Sequence, residues 1–208
     1  MKFYDCATAP SPRRVRVFIA EKCIDVPSVQ VNLREGEQLG EAFRALNPDC
    51  TVPVLELDDG TALTEVFAIC QFLEGLYPEP QLMGRDNQER ALVTMWNAKV
   101  EQHGLAAIAD MFRNKAKGFS GRALTGPTEF AQIPDLAERG RARTELFYDR
   151  LQERFAGSEY LSGDTFTIAD ISAMIAIDFA GWMKLEIGDR PDLQRWYDAV
   201  SMRPASKV

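Results

Sequence analysis

The hydrophobic pattern of the chain changes character near residue 77, and this change constrains the fold more than any other feature. Before it, short strand-like segments alternate with amphipathic helical segments in the order βαβ, then α, then a β-hairpin, then α. After a proline-rich and polar stretch, PEPQLMGR, only helical patterns remain. The sequence therefore predicts an α+β protein with a small mixed domain over residues 1–77, a linker over 78–85 and an all-helical domain over 86–208.

The first predicted helix is the segment RRVRVFIAEK. Its Val15, Phe18 and Ile19 follow helical spacing, and Pro12 suits the first helical position because that position needs no N–H donor. Ser11 then falls where a helix N-cap is expected. The next segment, SVQVNL, alternates apolar and polar residues and predicts a strand.

Composition argues against several classes of function. The formal net charge of −7 disfavours a nucleic-acid-binding protein, which usually carries a basic face. The four cysteines are isolated, so neither a metal cluster nor a C-x-x-C dithiol is expected, and His103 is the only histidine. No apolar run approaches the length of about 18 residues that a membrane helix needs, and the N-terminus lacks a signal-peptide pattern. We therefore expect a cytoplasmic protein without metal, membrane or nucleic-acid partners.

The second half contains a segment that is apolar on nearly all sides, TIADISAMIAIDFAGWM, which predicts a buried central helix. Thr167 and Asp170 have the spacing of a capping box, and Phe166 and Ile171 that of the accompanying hydrophobic staple. This pattern is a folding signal without a catalytic role, so Asp170→Ala is expected to lower stability. The long preceding pattern, residues 87–116, predicts one helix kinked near Gly104.

Pro53 interrupts the apolar segment VPVLEL, which otherwise has the pattern of a buried strand. Proline cannot donate to a sheet ladder and is confined to edges, strand starts and bulges. From the residues alone, a trans proline that starts the strand and a cis proline in a tight turn are both open. The Asp-Gly turn that follows predicts a hairpin to the segment TALT.

The whole chain resembles the soluble glutathione transferases. The resemblance is carried by TVPVLELDDGTALTE, by the helix RRVRVFIAEK and by GDTFTIADISA, in the order and spacing of that family. It implies a thioredoxin-like first domain, a helical second domain and a homodimer. It also implies an enzyme, active in detoxification, that joins the thiol of glutathione to an apolar electrophilic small molecule without a metal.

The resemblance also implies which residues bind glutathione. Pro53 would be cis, and the backbone of Val52 would pair with the cysteinyl part of the ligand. Gln38 would bind the glycyl carboxylate and Glu65 the γ-glutamyl amino group. Val66 stands where the family usually has serine, so its N–H remains but a hydroxyl is missing. On the residues alone, Gln38 is equally an exposed polar side chain, and Glu65 an acid favourable to its own helix.

The residue that activates the thiol is not matched. The family's usual catalytic position falls at Ala9 or Pro10, and neither side chain can hold a thiolate. The resemblance is closest to a fungal and bacterial subgroup that lacks the usual catalytic Tyr, Ser or Cys and relies on the first helix's N-terminus and a bound water. Ser11 and Thr8 are the flanking hydroxyls, and we predict that one of them helps the helix amides.

Two other functions stay open on the sequence. Cys6 lies just before the same turn, so a glutathione-dependent thiol reductase is one alternative. A binding or scaffold protein that has kept the fold and lost turnover is the other, favoured by Ala9 and Val66. The histidine that holds the water in the subgroup falls at Arg113–Asn114 here, where no histidine is present.

Three residues of the second half are candidates for the electrophile pocket: Met111, Phe112 and Phe119. Phe119 is the strongest, because it lies on the long loop GFSGRALTGPTEFAQIP, which predicts a lid or a wall of a substrate site. Trp182 is a weaker candidate. His103 is expected to be a structural or exposed residue, and the basic segment RNKAKGFSGR a solvated face.

Overall fold

Four short strands form a single mixed sheet in the first part of the computed structural model, which describes residues 1–208. The spatial order is β2-β1-β3-β4, with β1 parallel to β2 and antiparallel to β3, and β3 antiparallel to β4. The strand bounds are β1 Lys2–Asp5, β2 Ser28–Gln30, β3 Val54–Glu56 and β4 Ala62–Leu63.

Three helices belong to the same part of the chain, and five further helices follow it. The first three are α1 Pro10–Glu21, α2 Glu41–Leu46 and α3 Val66–Leu76. The others are α4 Asn87–Lys99, which continues as a π-helical turn over Val100–Leu105, then α5 Ala106–Arg113, α6 Pro134–Phe155, α7 Ile168–Gly181 and α8 Pro191–Ser201. The predicted α+β class, a thioredoxin-like sheet domain and a helical domain, is confirmed.

The chain divides into two compact units. The first unit comprises residues 1–80, 125–128 and 208, and the second comprises 81–124 and 129–207. No helix is long and apolar enough to cross a bilayer. All four cysteines are free.

Helix α1 begins two residues earlier than predicted. Its N-cap is Ala9, so Ser11 lies inside the first turn and the prediction that Ser11 caps the helix is wrong. The reason is that the first three N–H groups of a helix have no intrahelical acceptor, so Pro10 and Pro12 both fit the first turn without losing a hydrogen bond.

A buried lysine fastens the end of α1 to the end of the first unit. The ammonium group of Lys22 donates to the carbonyl oxygens of Tyr77, at 2.7 Å, and Pro80, at 2.6 Å, and pairs with Glu74 at 2.5 Å. The Lys22 side chain is fully buried, so its charge depends on these partners. This contact fixes α1 against the chain that leaves α3.

Strand β2 is shorter than the pattern predicted. It ends at Gln30, and Val29 is 39% exposed, whereas Val31 just beyond it is buried. Because β2 is an edge strand, one of its sides has no neighbouring strand.

The long helix predicted over residues 87–116 is divided by the π-helical turn. Gly104 lies in that turn against the ring of Phe147, and a Cβ atom placed on it would lie 2.7 Å from Phe147 Cε1. The kink expected at Gly104 is thus a local change of helix type at a close contact.

Helix α7 has the environment that its sequence predicted. Nearly every residue from Ile168 to Ala180 is buried, and the capping box of Thr167 and Asp170 is present. The Asp170 carboxylate accepts the N–H of Thr167 at 3.0 Å. Phe166 and Ile171, the predicted staple, are both buried.

Candidate functional site

The turn before β3 presents an unpaired stretch of backbone. The Val52–Pro53 peptide bond is cis, and β3 begins only at Val54, after the proline. Neither the N–H nor the C=O of Val52 has a hydrogen-bond partner in the chain. Asn47 holds the turn from behind, because its side-chain amide donates to the Thr51 carbonyl at 2.9 Å. An extended peptide could pair with these free groups as an added strand would.

The N-terminus of α3 offers further free donors. The N–H groups of Val66, Phe67 and Ala68 have no acceptor within the chain, and the first turn contains no acidic residue. A helix start with free amides and a partial positive charge is suited to a carboxylate.

Glu65 is the N-cap of α3 and not a first-turn residue as the sequence suggested. Its backbone has φ 64° and ψ 125°, a positive φ that non-glycine residues seldom adopt. Its carbonyl accepts the Ile69 N–H at 3.0 Å, while its side chain is exposed and makes no cap hydrogen bond. Strained backbone of this kind concentrates at ligand sites.

Gln38 lies on a 3-10 turn, Glu37–Leu39, and is only 6% exposed, so the alternative of an exposed side chain is wrong. Its Oε1 atom is buried without a hydrogen-bond partner. A buried polar atom without a partner costs about 1–3 kcal/mol. Gln38 therefore has an unused hydrogen-bond acceptor, which an N–H group of a polar ligand would satisfy.

The first turn of α1 has a single free amide. Pro10 and Pro12 have no N–H, and the N–H of Arg13 donates to the Ala9 carbonyl at 3.3 Å. The N–H of Ser11 is thus the one main-chain donor available at this helix start. The Ser11 hydroxyl also has no partner within the chain.

Thr8 and Cys6, the other candidates at this turn, contact each other. The Thr8 hydroxyl lies 3.5 Å from Cys6 Sγ, at a distance where either atom can donate. Cys6 is 7% exposed, and its carbonyl accepts the Ala9 N–H at 2.9 Å. A buried thiol in a hydrogen-bonded turn has the character of a structural cysteine.

In the second unit, Phe112 lies at the centre of an aromatic cluster. Its ring centroid is 4.9 Å from that of Phe119, 5.4 Å from that of Phe179 and 5.7 Å from that of Trp182. Trp182 is 52% exposed, so the cluster reaches solvent. Met111 is only 3% exposed and belongs to the packed interior. The sequence analysis missed Phe179, since an all-apolar helix does not reveal which of its sides faces a pocket.

Arg113 holds the loop that carries Phe119. Its guanidinium group donates to the carbonyl oxygens of Arg122 at 2.8 Å, Ala123 at 3.2 Å and Leu124 at 2.8 Å, and lies 4.6 Å from the Phe119 ring centroid. Burial, and then the charge of Arg122, lower the pKa of Arg113. The basic segment predicted to be a solvated face therefore contributes a residue that shapes the aromatic cluster.

No group of three or more His, Cys, Asp or Glu side chains is arranged to hold a metal ion.

Comparison with known proteins extends over the whole chain. Residues 8–76 match the family model of the glutathione S-transferase N-terminal domain, and residues 125–204 match that of the C-terminal domain. The chain is 34% identical to glutathione S-transferase 2 of Saccharomyces cerevisiae over 215 aligned positions, which cover 100% of the chain and 88% of that protein.

Two solved structures are similar over nearly their full lengths. One is a glutathione S-transferase domain-containing protein of Marinobacter aquaeolei VT8, with 37% identity, a TM-score of 0.91 and 99% of both chains covered. The other is Gtt2 of Saccharomyces cerevisiae, with 32% identity, a TM-score of 0.90, and 100% of this chain and 99% of that chain covered.

Proposed function

The chain belongs to the glutathione S-transferase family of enzymes, and from that premise we propose that it joins the glutathione thiolate to an apolar, electrophilic small molecule. The observation that carries the proposal is a set of unused polar groups in the first unit: the backbone of Val52, the amides that begin α3, and the side chain of Gln38. Their chemistry matches that of a tripeptide with two carboxylates and one amino group.

Each part of glutathione has a proposed partner. The cysteinyl backbone pairs with Val52 beside Pro53, and the γ-glutamyl carboxylate lies on the N–H groups that begin with Val66. The exposed carboxylate of Glu65 pairs with the ligand's amino group. The Nε2 amide of Gln38 donates to the glycyl carboxylate, and its buried Oε1 accepts an N–H of the ligand. Glutathione is a co-substrate in this scheme.

We assign the activation of the thiol to Ser11. The thiolate is the nucleophile, and a hydrogen bond to the charged form lowers the pKa of a thiol. Ser11 offers a free N–H and a free hydroxyl at the same helix start, whereas the Thr8 hydroxyl already contacts Cys6. Ser11 is therefore favoured over Thr8. The N–H and the hydroxyl of Ser11 would each donate a hydrogen bond to the sulfur of glutathione.

The aromatic cluster of the second unit is the proposed surface for the electrophile. Phe112 and Phe119 present ring edges and faces, and exposed Trp182 extends them. Such a surface favours a planar apolar molecule over a polar one. Met111, as a buried residue, would support the cluster from the interior.

Two alternatives are less well supported. A thiol reductase needs an accessible thiolate, and the burial of Cys6 works against it. A binding or scaffold protein without turnover would use the same donors of the first unit, and the conjugation assay below separates it from the enzyme. The resemblance also carries the proposals that the enzyme works in the cytoplasm as a homodimer, with residues 1–77 binding glutathione and residues 86–208 the electrophile.

The glutathione site is tested by Gln38→Leu. Steady-state conjugation of glutathione to an aryl halide should show a KM for glutathione raised by about tenfold, the effect of one hydrogen bond to a charged group. Gln71→Leu, an exposed glutamine on α3, is the matched control. An unchanged KM in Gln38→Leu would remove this residue from the site, and no turnover by the wild type would refute the proposed function.

Thiol activation is tested by ultraviolet titration of bound glutathione. Ser11→Ala should raise the pKa of the bound thiol by about 1–2 units, because the hydroxyl donor is lost while the main-chain N–H remains. Thr8→Ala should leave the pKa unchanged. A shift in Thr8→Ala alone would reverse the assignment.

A further inference from the structure

Two guanidinium groups lie near the ring of Phe119 in the aromatic cluster of the second unit. The guanidinium carbon of Arg113 is 4.6 Å from the centroid of that ring, and the guanidinium carbon of Arg122 is 6.0 Å from it. The same ring packs against Phe112, with 4.9 Å between the two centroids. We call Arg113 and Arg122 the arginine pair. The surface proposed for the electrophile is therefore apolar on one side and positively charged on another.

The charges of the arginine pair are not balanced by a carboxylate of the chain. Arg122 forms no ion pair, and its side chain donates no hydrogen bond. Arg113 forms no ion pair either, and its three hydrogen bonds all go to carbonyl oxygens. Asp110, one turn earlier on α5, pairs with Arg143 at 3.2 Å instead. Since the electrophile must reach this surface in the working enzyme, the proposed homodimer leaves it open.

The surrounding sequence adds to the positive charge. Residues 111–128 contain four basic side chains and no acidic one, in a chain whose formal net charge is −7. Lys115 and Lys117 are exposed to solvent, whereas both members of the arginine pair are half-buried. Burial, and then the like charge of Arg122, lower the pKa of Arg113. An anion bound beside the arginine pair would relieve this repulsion.

The arginine pair has N–H groups to spare. The guanidinium of arginine has five N–H donors and no acceptor. In Arg113, Nε and Nη2 hold the loop, and Nη1 donates to no atom of the chain. In Arg122 all the side-chain donors are unused. Half-buried donors of this kind favour a ligand that accepts hydrogen bonds.

The loop that carries Phe119 is fastened to the end of α5 from its far side as well. The side-chain amide of Gln132 donates to the Arg113 carbonyl at 2.7 Å. The side-chain oxygen of Asn114 accepts the N–H of Ile133 at 2.9 Å. Because the loop is already held by these hydrogen bonds, a ligand that binds to it has little conformational entropy to remove.

We propose that the electrophile is an aromatic acid, whose ring lies against Phe112 and Phe119 and whose carboxylate is bound by the arginine pair. The inference rests on the proposed function and narrows its substrate class from apolar molecules to aromatic ones with an anionic group. Carboxylate oxygens match the planar donor fork of arginine, and an aromatic ring matches the edges and faces of the cluster. Arg122 is the residue that determines this specificity, because Arg113 also holds the loop.

The probes are a chlorodinitrobenzoate, with its carboxylate para to the chlorine, and the matching chlorodinitrobenzamide. With either probe the glutathione thiolate attacks the ring carbon that bears the chlorine. A C–S bond forms, the C–Cl bond breaks, chloride leaves with the electron pair, and the thiol proton passes to the buffer. Because the two substituents activate the ring to different extents, the ratio of kcat/KM for benzoate to that for benzamide is compared between variants.

Arg122→Gln should lower this ratio by about five- to tenfold, the effect of one charge-assisted hydrogen bond. The variant should fold normally, since the side chain it replaces makes no hydrogen bond. Arg122→Lys keeps the charge and loses only the donor fork, so it should lower the ratio by less than about threefold.

Arg195→Gln is the matched control, because it removes an equal charge from the second unit. Arg195 is exposed on α8, and the neighbouring Trp196 contacts Asp170 at the start of α7. The aromatic cluster lies at the other end of α7, at Phe179 and Trp182. The ratio in this variant should equal that of the wild type.

Dinitrobenzoate and dinitrobenzamide without chlorine do not react, so calorimetry with these ligands tests the preference for charge apart from turnover. The wild type should bind the acid more tightly than the amide, and Arg122→Gln should lose this preference. Turnover of the benzamide with a ratio unchanged in Arg122→Gln would overturn the inference and leave the proposed function standing. No turnover of either probe, with dinitrobenzoate still preferred, would do the reverse. A raised KM for glutathione at an unchanged ratio would assign Arg122 to a carboxylate of glutathione and also overturn the inference.

Discussion

The indole N–H of Trp196 donates to the carboxylate of Asp170 at 3.1 Å in the interior of the second unit. The same carboxylate accepts the N–H groups of Leu161, at 2.9 Å, and of Thr167, at 3.0 Å. Asp170 is completely buried, and Trp196 is 1% exposed. One side chain thus joins the start of α7 to α8 and to the loop before α7.

We expect Asp170→Ala to lower the free energy of unfolding by at least about 3 kcal/mol, because it leaves three buried N–H donors without an acceptor. Urea unfolding followed by circular dichroism measures the change. Asp164→Ala, on the neighbouring exposed loop, is the control and should change stability by less than about 0.5 kcal/mol. A variant as stable as the wild type would show that the three hydrogen bonds contribute nothing net.

The pH dependence of stability should also depend on Asp170. Burial raises its pKa from an ordinary value near 3.8 to about 6, in spite of its hydrogen bonds. The folded state then holds this proton more tightly than the unfolded state. The contribution of Asp170 to the free energy of unfolding is therefore complete below about pH 4. It falls by up to about 3 kcal/mol as the pH rises to about 6 and is constant above that.

The side chain of Asp170→Asn does not titrate, so the difference in unfolding free energy between this variant and the wild type isolates the effect of the Asp170 carboxyl group. The wild type should be the more stable of the two, and its advantage should narrow between pH 4 and pH 6. Chemical unfolding of both proteins at four pH values across this range measures the difference. An advantage that widens with pH would indicate a lowered pKa in the folded state.

The start of α7 could be predicted because its signals are local. Thr167 and Asp170 are three residues apart, and the apolar run after them is long enough to specify a buried helix. The other partners of Asp170 could not be predicted. Leu161 and Trp196 lie 9 and 26 residues away in sequence, and only tertiary packing brings them to the carboxylate.

The sequence indicated which segments form the candidate site, but not the burial or backbone conformation of the residues within them. Ser11 was placed two positions too early because both Pro10 and Pro12 suit the first helical turn, so the prolines do not fix which residue is the N-cap. The burial of Gln38 had no signal, since the segment REGEQL is mostly charged or polar and exposure is set by how the 3-10 turn packs. The positive φ of Glu65 was equally hidden, because glutamate carries no pattern that indicates such a backbone.

The loss of stability on replacing a glycine by alanine should depend on which atoms the new methyl group contacts. At Gly140 a Cβ would lie 2.6 Å from the Ala107 carbonyl oxygen and 2.7 Å from the Met111 nitrogen, which are backbone atoms of α5 that cannot yield alone. At Gly104 it would meet the side chain of Phe147, which can shift. We expect Gly140→Ala to cost about 3 kcal/mol and Gly104→Ala about 1 kcal/mol in unfolding free energy.

Gly75→Ala is the control for this ranking. Gly75 lies in α3 with no heavy atom within 4 Å of the position of its Cβ, so alanine should stabilise the protein by about 0.5–1 kcal/mol. Thermal or urea unfolding of the three variants gives the order. Equal effects at Gly140 and Gly104 would mean that the two helix contacts adapt equally well.

The last prediction concerns Val66, which stands where the resemblance to the family implies a serine. Val66 begins α3 and is 5% exposed, and serine there would add a hydroxyl beside the amides proposed to bind the γ-glutamyl carboxylate. Val66→Ser should lower the KM for glutathione by about three- to tenfold, which corresponds to one added hydrogen bond. The turnover number should stay the same, because the contact is made equally in the ground state and the transition state.

Val66→Ala separates the hydroxyl from the loss of bulk. Both variants remove buried methyl groups and should lose about 1–3 kcal/mol of stability. Only the serine variant should bind glutathione more tightly than the wild type, as measured by calorimetry and by the KM. If alanine and serine give the same affinity, the carboxylate is held by the main-chain N–H groups of α3 alone, and the valine of this chain does not weaken its site.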